Sequence, residues 1–385
     1  MLLVYSTGVL AATALGKVAP TAPLLRADLG LSLGRVGWLV SAITAMAALL
    51  GTPAGLWVRR RGGRRALLAG LAMLAAAGGA GAAAPGAGWM LAARAAEGIG
   101  FLLVVVAAPT LMTQMAGRGH QPAVLALWGT AIAVGLAASA AVGGVLAPLG
   151  WRLWLAAPGV LAVPVAVAVG LLVPPDAPDG LPPAAPGRPD AVARLRLADL
   201  RVPTLLAAGF CAIVAIASAL LGMLPTFLVE ELGGGSAAAG SATALVALSS
   251  VLGSLVAGWL LGRGAGLRAL MAAGLLMPLA SWPVVWAGGS FGGSVLAAAA
   301  RMAANGVVVA GVFAAVPRMA AAPDHLAVVN GLIAQLGSAG TLLGPPLFAW
   351  AVVVAGWRAV PPLVAAFTGL GLAALLLAEK GADAR

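Results

Sequence analysis

Long apolar runs, repeated from one end of the chain to the other, leave few folds open. Read between charged or Pro/Gly-rich breaks, they fall at 4–24, 35–57, 66–84, 89–111, 123–147, 152–173, 204–227, 239–262, 269–288, 293–316, 327–353 and 359–378. Each is long enough to cross ~30 Å of hydrocarbon as a helix rising about 1.5 Å per residue. Within a bilayer only helices and closed barrels satisfy every backbone polar group. The runs are continuous rather than alternating, so a barrel does not fit. Composition agrees, because 62% of the 385 residues are hydrophobic and 9% are charged, too few to cover a water-soluble surface. An all-α integral membrane protein of twelve transmembrane helices is expected. The start, Met1 to Leu10, lacks a basic n-region and reads as part of the first span, not as a removable signal peptide.

One long polar stretch interrupts the runs. It begins Pro174-Pro175-Asp176-Ala177-Pro178-Asp179 and carries Pro182, Pro183, Pro186 and Pro189, a composition suited to an extended linker. Its later part, Ala191 to Arg201, fits a short amphipathic helix on a membrane surface. The chain therefore divides into a six-helix bundle at 1–173, a linker at 174–203 and a second bundle at 204–385. The bundles repeat in sequence. Gly55 to Leu67 aligns with Gly258 to Leu270, Pro20-Thr21 with Pro225-Thr226, Asp28-Leu29-Gly30 with Glu231-Leu232-Gly233, and Gly150-Trp151-Arg152 with Gly356-Trp357-Arg358. Landmarks in one order at nearly one spacing indicate a parallel duplication, with a substrate site expected between pseudo-symmetric halves.

Charge gives the orientation. Of 22 Lys and Arg, three (Lys17, Arg94, Arg301) lie inside spans and four (Arg26, Arg35, Arg152, Arg358) lie at one face, which leaves fifteen for the other. Cytoplasmic loops collect Lys and Arg, so both termini are expected in the cytoplasm of a multi-pass protein of the cell (inner) membrane. The net charge of +11 has the same topogenic origin. A nucleic-acid binder would need a soluble basic face, and the sequence provides none. Tryptophans such as Trp38, Trp89, Trp151, Trp282 and Trp357 cluster near span ends, as an interfacial belt does.

The candidate site is the charge that remains in hydrocarbon, where each charged group costs roughly 2.5–3.5 kcal/mol. In the fourth span, Arg94-Ala-Ala-Glu97-Gly98-Ile99-Gly100 holds an arginine and a carboxylate on one helix face. One reading makes them a buried pair that locks spans 1, 4 and 5. The other makes Arg94 an anion contact and Glu97 a protonatable coupling group. The tenth span carries a near copy, Arg301-Met-Ala-Ala-Asn305-Gly306, in which Asn305 stands where the acid would be. Arg301 therefore lacks a sequence-local partner and must face a cavity, carbonyls or a ligand, unless it snorkels to an interface. Lys17, before Pro20 and Pro23 in the first span, has the same two options. Three cations against one acid favour an anionic solute.

Three motifs resemble the major facilitator superfamily, and the resemblance spans essentially the whole chain. Gly55, Arg60, Gly62, Arg64 and Leu67 match the family's loop between the second and third spans, which implies a conformational latch there. Arg59 stands at that motif's acidic position, so the latch departs from the pattern. Arg94 to Gly98 is similar to the fourth-span motif, and the glycines from Gly129 to Gly144 resemble the fifth-span pattern without its Gly-Pro pair. The Leu29-Gly30-Leu31-Ser32 loop and the Gly-Trp-Arg ends look somewhat like the cyanate and nitroimidazole transporter branch. The resemblance implies a secondary active transporter working by alternating access.

The expected function is thus transport of a small solute, an anion or carboxylate, with possible proton coupling, by a monomer in the bilayer. Substrate contacts are assigned to Lys17, Arg94, Arg301 and Asn305, proton coupling to Glu97, and a latch to Gly55, Arg60, Gly62 and Arg64. Efflux of amphiphilic drugs is the alternative, and a non-transporting receptor or scaffold is the alternative from another class. No cofactor is expected, and no phosphate-binding loop occurs, which excludes ATP-driven transport by this chain alone. No enzyme is expected, since no cluster of His, Asp or Glu lies within the spans. A copper site from Met112, Met115, His120, Met319 and His325 is outweighed by irregular spacing.

Overall fold

The computed structural model describes residues 1–115, 121–174, 197–286, 290–319 and 326–384. The described residues are helical, with twelve helices long and apolar enough to span a membrane, from Leu2–Leu29 to Trp357–Asp383. Every expected run overlaps one of them. The chain is a multi-pass membrane protein. Most of the linker expected at 174–203 lies outside the described residues. Its end does not: the seventh-span helix already begins at Leu197 and runs without interruption to Glu230. The stretch Leu197 to Arg201, expected as part of a separate amphipathic helix, is the first turn of that span.

Two compact units emerge, Met1–Ala184 with Gly222–Ala244, and Ala185–Leu221 with Leu245–Arg385. In the first, the third, fourth and sixth spans pack through Leu67, Leu71, Leu74, Val104, Ala108, Leu111, Ala162 and Val169, all buried. A smaller cluster around Leu25, Leu39, Met90 and Trp151 fills one end. Arg26 donates to Glu230 within this unit. In the second unit Ala257, Leu270 and Val307 join the eighth, ninth and tenth spans.

Several spans are broken, and the breaks position the site. The first span is a helix Leu2–Gly16, then a 3-10 turn Ala19–Thr21 and a second helix Ala22–Leu29. Pro20 and Pro23 explain this, since neither has an N–H to continue the ladder. The second span breaks at the 3-10 turn Ala42–Thr44. Carbonyls beside such turns are released from regular i+4 bonding and are open to side-chain donors.

Close helix approach comes from glycine. A Cβ on Gly98 would lie 2.4 Å from the Ile43 carbonyl oxygen, and one on Gly306 would lie 2.1 Å from that of Ser250. The fourth span therefore meets the second, and the tenth meets the eighth, at backbone contact. Only residues without a side chain permit this.

Candidate functional site

Lys17, Arg94 and Glu97 form one buried cluster, with side chains 2–3% exposed. Glu97 is held on both oxygens. Lys17 Nζ donates to Oε1, and Arg94 donates to Oε2 at 2.5 Å. The rest of the arginine is spent on backbone. Its nitrogens donate to the carbonyls of Ala14 at 2.8 Å, Leu15 at 3.0 Å and Leu39 at 3.1 Å. These carbonyls lie just ahead of the breaks in the first and second spans. Lys17 also donates to the Leu155 carbonyl at 2.6 Å in the sixth span. The Lys17 carbonyl, released by the break, accepts from Trp154 Nε1 at 3.0 Å. The cluster thus joins spans 1, 2, 4 and 6. Among the described residues, Arg94 and Glu97 make no bond to the fifth span that was expected in such a lock.

The second unit repeats the geometry without the acid. Arg301 is 3% exposed and Asn305 5%. Among the described residues Arg301 donates one bond, to the Ile216 carbonyl at 3.0 Å, and its Nε has no partner. Asn305 donates to the Ile213 carbonyl at 3.1 Å and lies 3.9 Å from the Met277 sulfur. Both acceptors sit one helical turn apart on the seventh span. Lys17 and Arg301 are both buried, and each donates to a backbone carbonyl of a neighbouring span, Leu155 and Ile216. Arg301 carries a buried positive charge with neutral neighbours. Among the described residues no carboxylate pairs with it.

The latch residues are placed only in part. Gly62 turns the chain between the second and third spans at φ 94°, a conformation that favours glycine. Arg64 donates to the Gly170 carbonyl at the end of the sixth span. The side chains of Arg59 and Arg60 lie outside the described residues, as do His120 and His325.

Other polar contacts were not anticipated from the sequence. Near the C-terminus, Glu379 accepts from Arg268 at 2.9 Å, and Asp383 accepts from Arg268 at 3.5 Å and Arg318 at 3.2 Å. The acids recur at i and i+4 on the last span, a pattern visible in the sequence, whereas their partners are far away in the chain. Asp28 accepts from Trp151 Nε1 at 2.7 Å, joining two landmarks of the internal repeat.

Residues 4–321 match the profile of the Major Facilitator Superfamily, most of the chain. The chain belongs to that superfamily. No curated protein sequence matches it. Among solved structures, a bacterial homolog of the human lysosomal transporter Spinster, in an inward-facing and occupied conformation, superposes with a TM-score of 0.77 at 15% identity. That match covers 99% of this chain and 94% of the other. A D-xylose-proton symporter gives a TM-score of 0.75 at 17% identity, covering 98% and 96%. Identities this low establish the shared fold. Superfamily membership and fold together are those of a membrane transporter.

Proposed function

We propose that this major facilitator protein carries a small anion or carboxylate across the cell membrane by alternating access. The halves at 1–173 and 204–385 move against each other, with both termini in the cytoplasm. The uneven Lys and Arg count supports that orientation. The observation that carries the substrate class is Arg301, a buried guanidinium that among the described residues has a single carbonyl acceptor and an unpartnered Nε. A charge in that state is costly unless an anion joins it. Asn305 supports the reading as a neutral neighbour that leaves the arginine uncompensated. Lys17 and Arg94 serve the path indirectly, through the carboxylate between them. Protonation of Glu97 releases both cations together, which would couple proton movement to the carrier cycle. The loop from Gly55 to Leu67 supplies the latch, altered by Arg59. Resemblance to the cyanate and nitroimidazole branch rests on two short motifs and adds no substrate.

The test is uptake of labelled formate, acetate and nitrate into proteoliposomes. Arg301→Gln is expected to abolish uptake of whichever anion the wild type carries while the protein still folds. Uptake at the wild-type rate in that variant defeats the anion-contact role. Glu97→Gln is expected to remove the dependence on a pH gradient, and gradient-driven uptake that survives the change removes Glu97 from coupling.

A further inference from the structure

We propose that the groove between the start of the seventh-span helix and the end of the twelfth binds an anionic phospholipid. The groove encloses about 500 Å³, lined by Arg201, Val202 and Leu205 on one side and Leu377 and Lys380 on the other. Both walls belong to the second compact unit. Arg201 stands near the start of the helix Leu197–Glu230, and Lys380 in the last turn of Val360–Asp383. The apolar spans end at this level, so the groove lies where hydrocarbon meets headgroups.

Charge and shape single out the occupant. Glu379 and Asp383, which flank Lys380 on its helix, are engaged by Arg268 and Arg318. The acids that flank Lys380 on the last span are therefore taken. Arg201 and Lys380 have no ion pair among the described residues. Two like charges in one groove repel until an anion sits between them. The walls beside them are apolar: Val202 is buried and Leu377 is 55% exposed, facing the depth of an acyl chain. A phosphodiester headgroup fits the cations, and its acyl chain covers Leu205 and Leu377. A free phosphate would satisfy the charge and leave the apolar wall uncovered. Basic pockets between span ends on the cytoplasmic side hold anionic headgroups by this combination. The site is separate from Arg301 and does not depend on the identity of the transported solute.

The experiment is a thermal-unfolding titration of the purified full chain in neutral detergent, with dioleoylphosphatidylglycerol, dioleoylphosphatidylcholine and inorganic phosphate as separate probes. Phosphatidylglycerol is expected to raise Tm in a saturable way, with no shift from the other two. Arg201→Gln and Lys380→Gln should each raise the half-saturating concentration about fivefold, and the double variant by more than either. Arg263→Gln, a cation at the same end outside the groove, should leave it unchanged. The site is overturned by equal shifts from phosphatidylcholine, by a shift from inorganic phosphate alone, or by an equal effect of Arg263→Gln. It is also overturned if both single variants titrate like the wild type, a comparison that stands even if the double variant does not fold.

Discussion

The fourth and tenth spans dock in the same way and differ in what they bury. Gly98 and Gly306 bring their helices against the second and eighth spans at equivalent points of the repeat. Upstream of each glycine is an arginine, and the resemblance ends there. Arg94 is saturated by Glu97 and by carbonyls released at two helix breaks, and Lys17 closes the other side of the acid. Arg301 faces an unbroken seventh span, whose carbonyls are already used by its own ladder, and obtains one of them. In the first copy the charges satisfy one another and tie four spans together like a lock, and in the second, among the described residues, a buried charge keeps an unpartnered Nε. The two copies share one backbone plan and differ in an acid against an amide, and in broken against unbroken neighbouring spans.

The largest effects should fall on the lock. Arg94→Ala strips Glu97 of one partner and leaves Lys17, the carboxylate and several carbonyls buried, with an expected loss of ~3–5 kcal/mol in reversible unfolding. Arg301→Ala removes one carbonyl bond and should cost far less, about 1 kcal/mol, while abolishing anion transport. Equal losses in the two variants would erase the distinction between the copies.

Next come the glycines that the copies share. Gly98→Ala and Gly306→Ala each place a Cβ against a backbone oxygen and should destabilise by ~1–3 kcal/mol, to a similar extent in both halves. A marked inequality in thermal unfolding would break the claim of equivalent docking. Asn305→Glu turns the second copy into the first by placing a carboxylate next to Arg301. It should keep the fold and stop anion uptake, and uptake that continues would show that the free charge is not required. The smallest effect is expected from Trp154→Phe, which removes the bond to the Lys17 carbonyl and should cost about 1 kcal/mol. Thermal unfolding of that variant measures how far the break in the first span depends on a capping donor.

Much of this was legible in the sequence because membrane insertion writes itself in run length. Every expected run overlaps a spanning helix, and the near copies Arg94–Gly98 and Arg301–Gly306 return as matched backbone contacts of Gly98 and Gly306. The i, i+3 spacing of Arg94 and Glu97 correctly paired them. Lys17 could not be added to that pair, since it comes from 80 residues away and reaches the acid only because the first span breaks beside it. Pro20 signalled a break, but not which donors would take the freed carbonyls. The contacts of Arg268 and Arg318 with Glu379 and Asp383 were hidden for a similar reason. The i, i+4 acids were visible, while the cations that meet them sit on other helices. Sequence spacing reports neighbours on one helix, whereas partners across helices depend on packing.

The central claim is that Arg301 is the open charge of the pair and receives an anion. The most direct measurement is a thermal-shift comparison of wild type, Arg301→Gln and Asn305→Glu against formate, acetate, nitrate and neutral xylose. The account predicts that at least one anion raises the Tm of the wild type, that neither variant responds, and that xylose shifts none of them. Stabilisation of all three proteins by the same anion, or of the wild type by xylose alone, would contradict it.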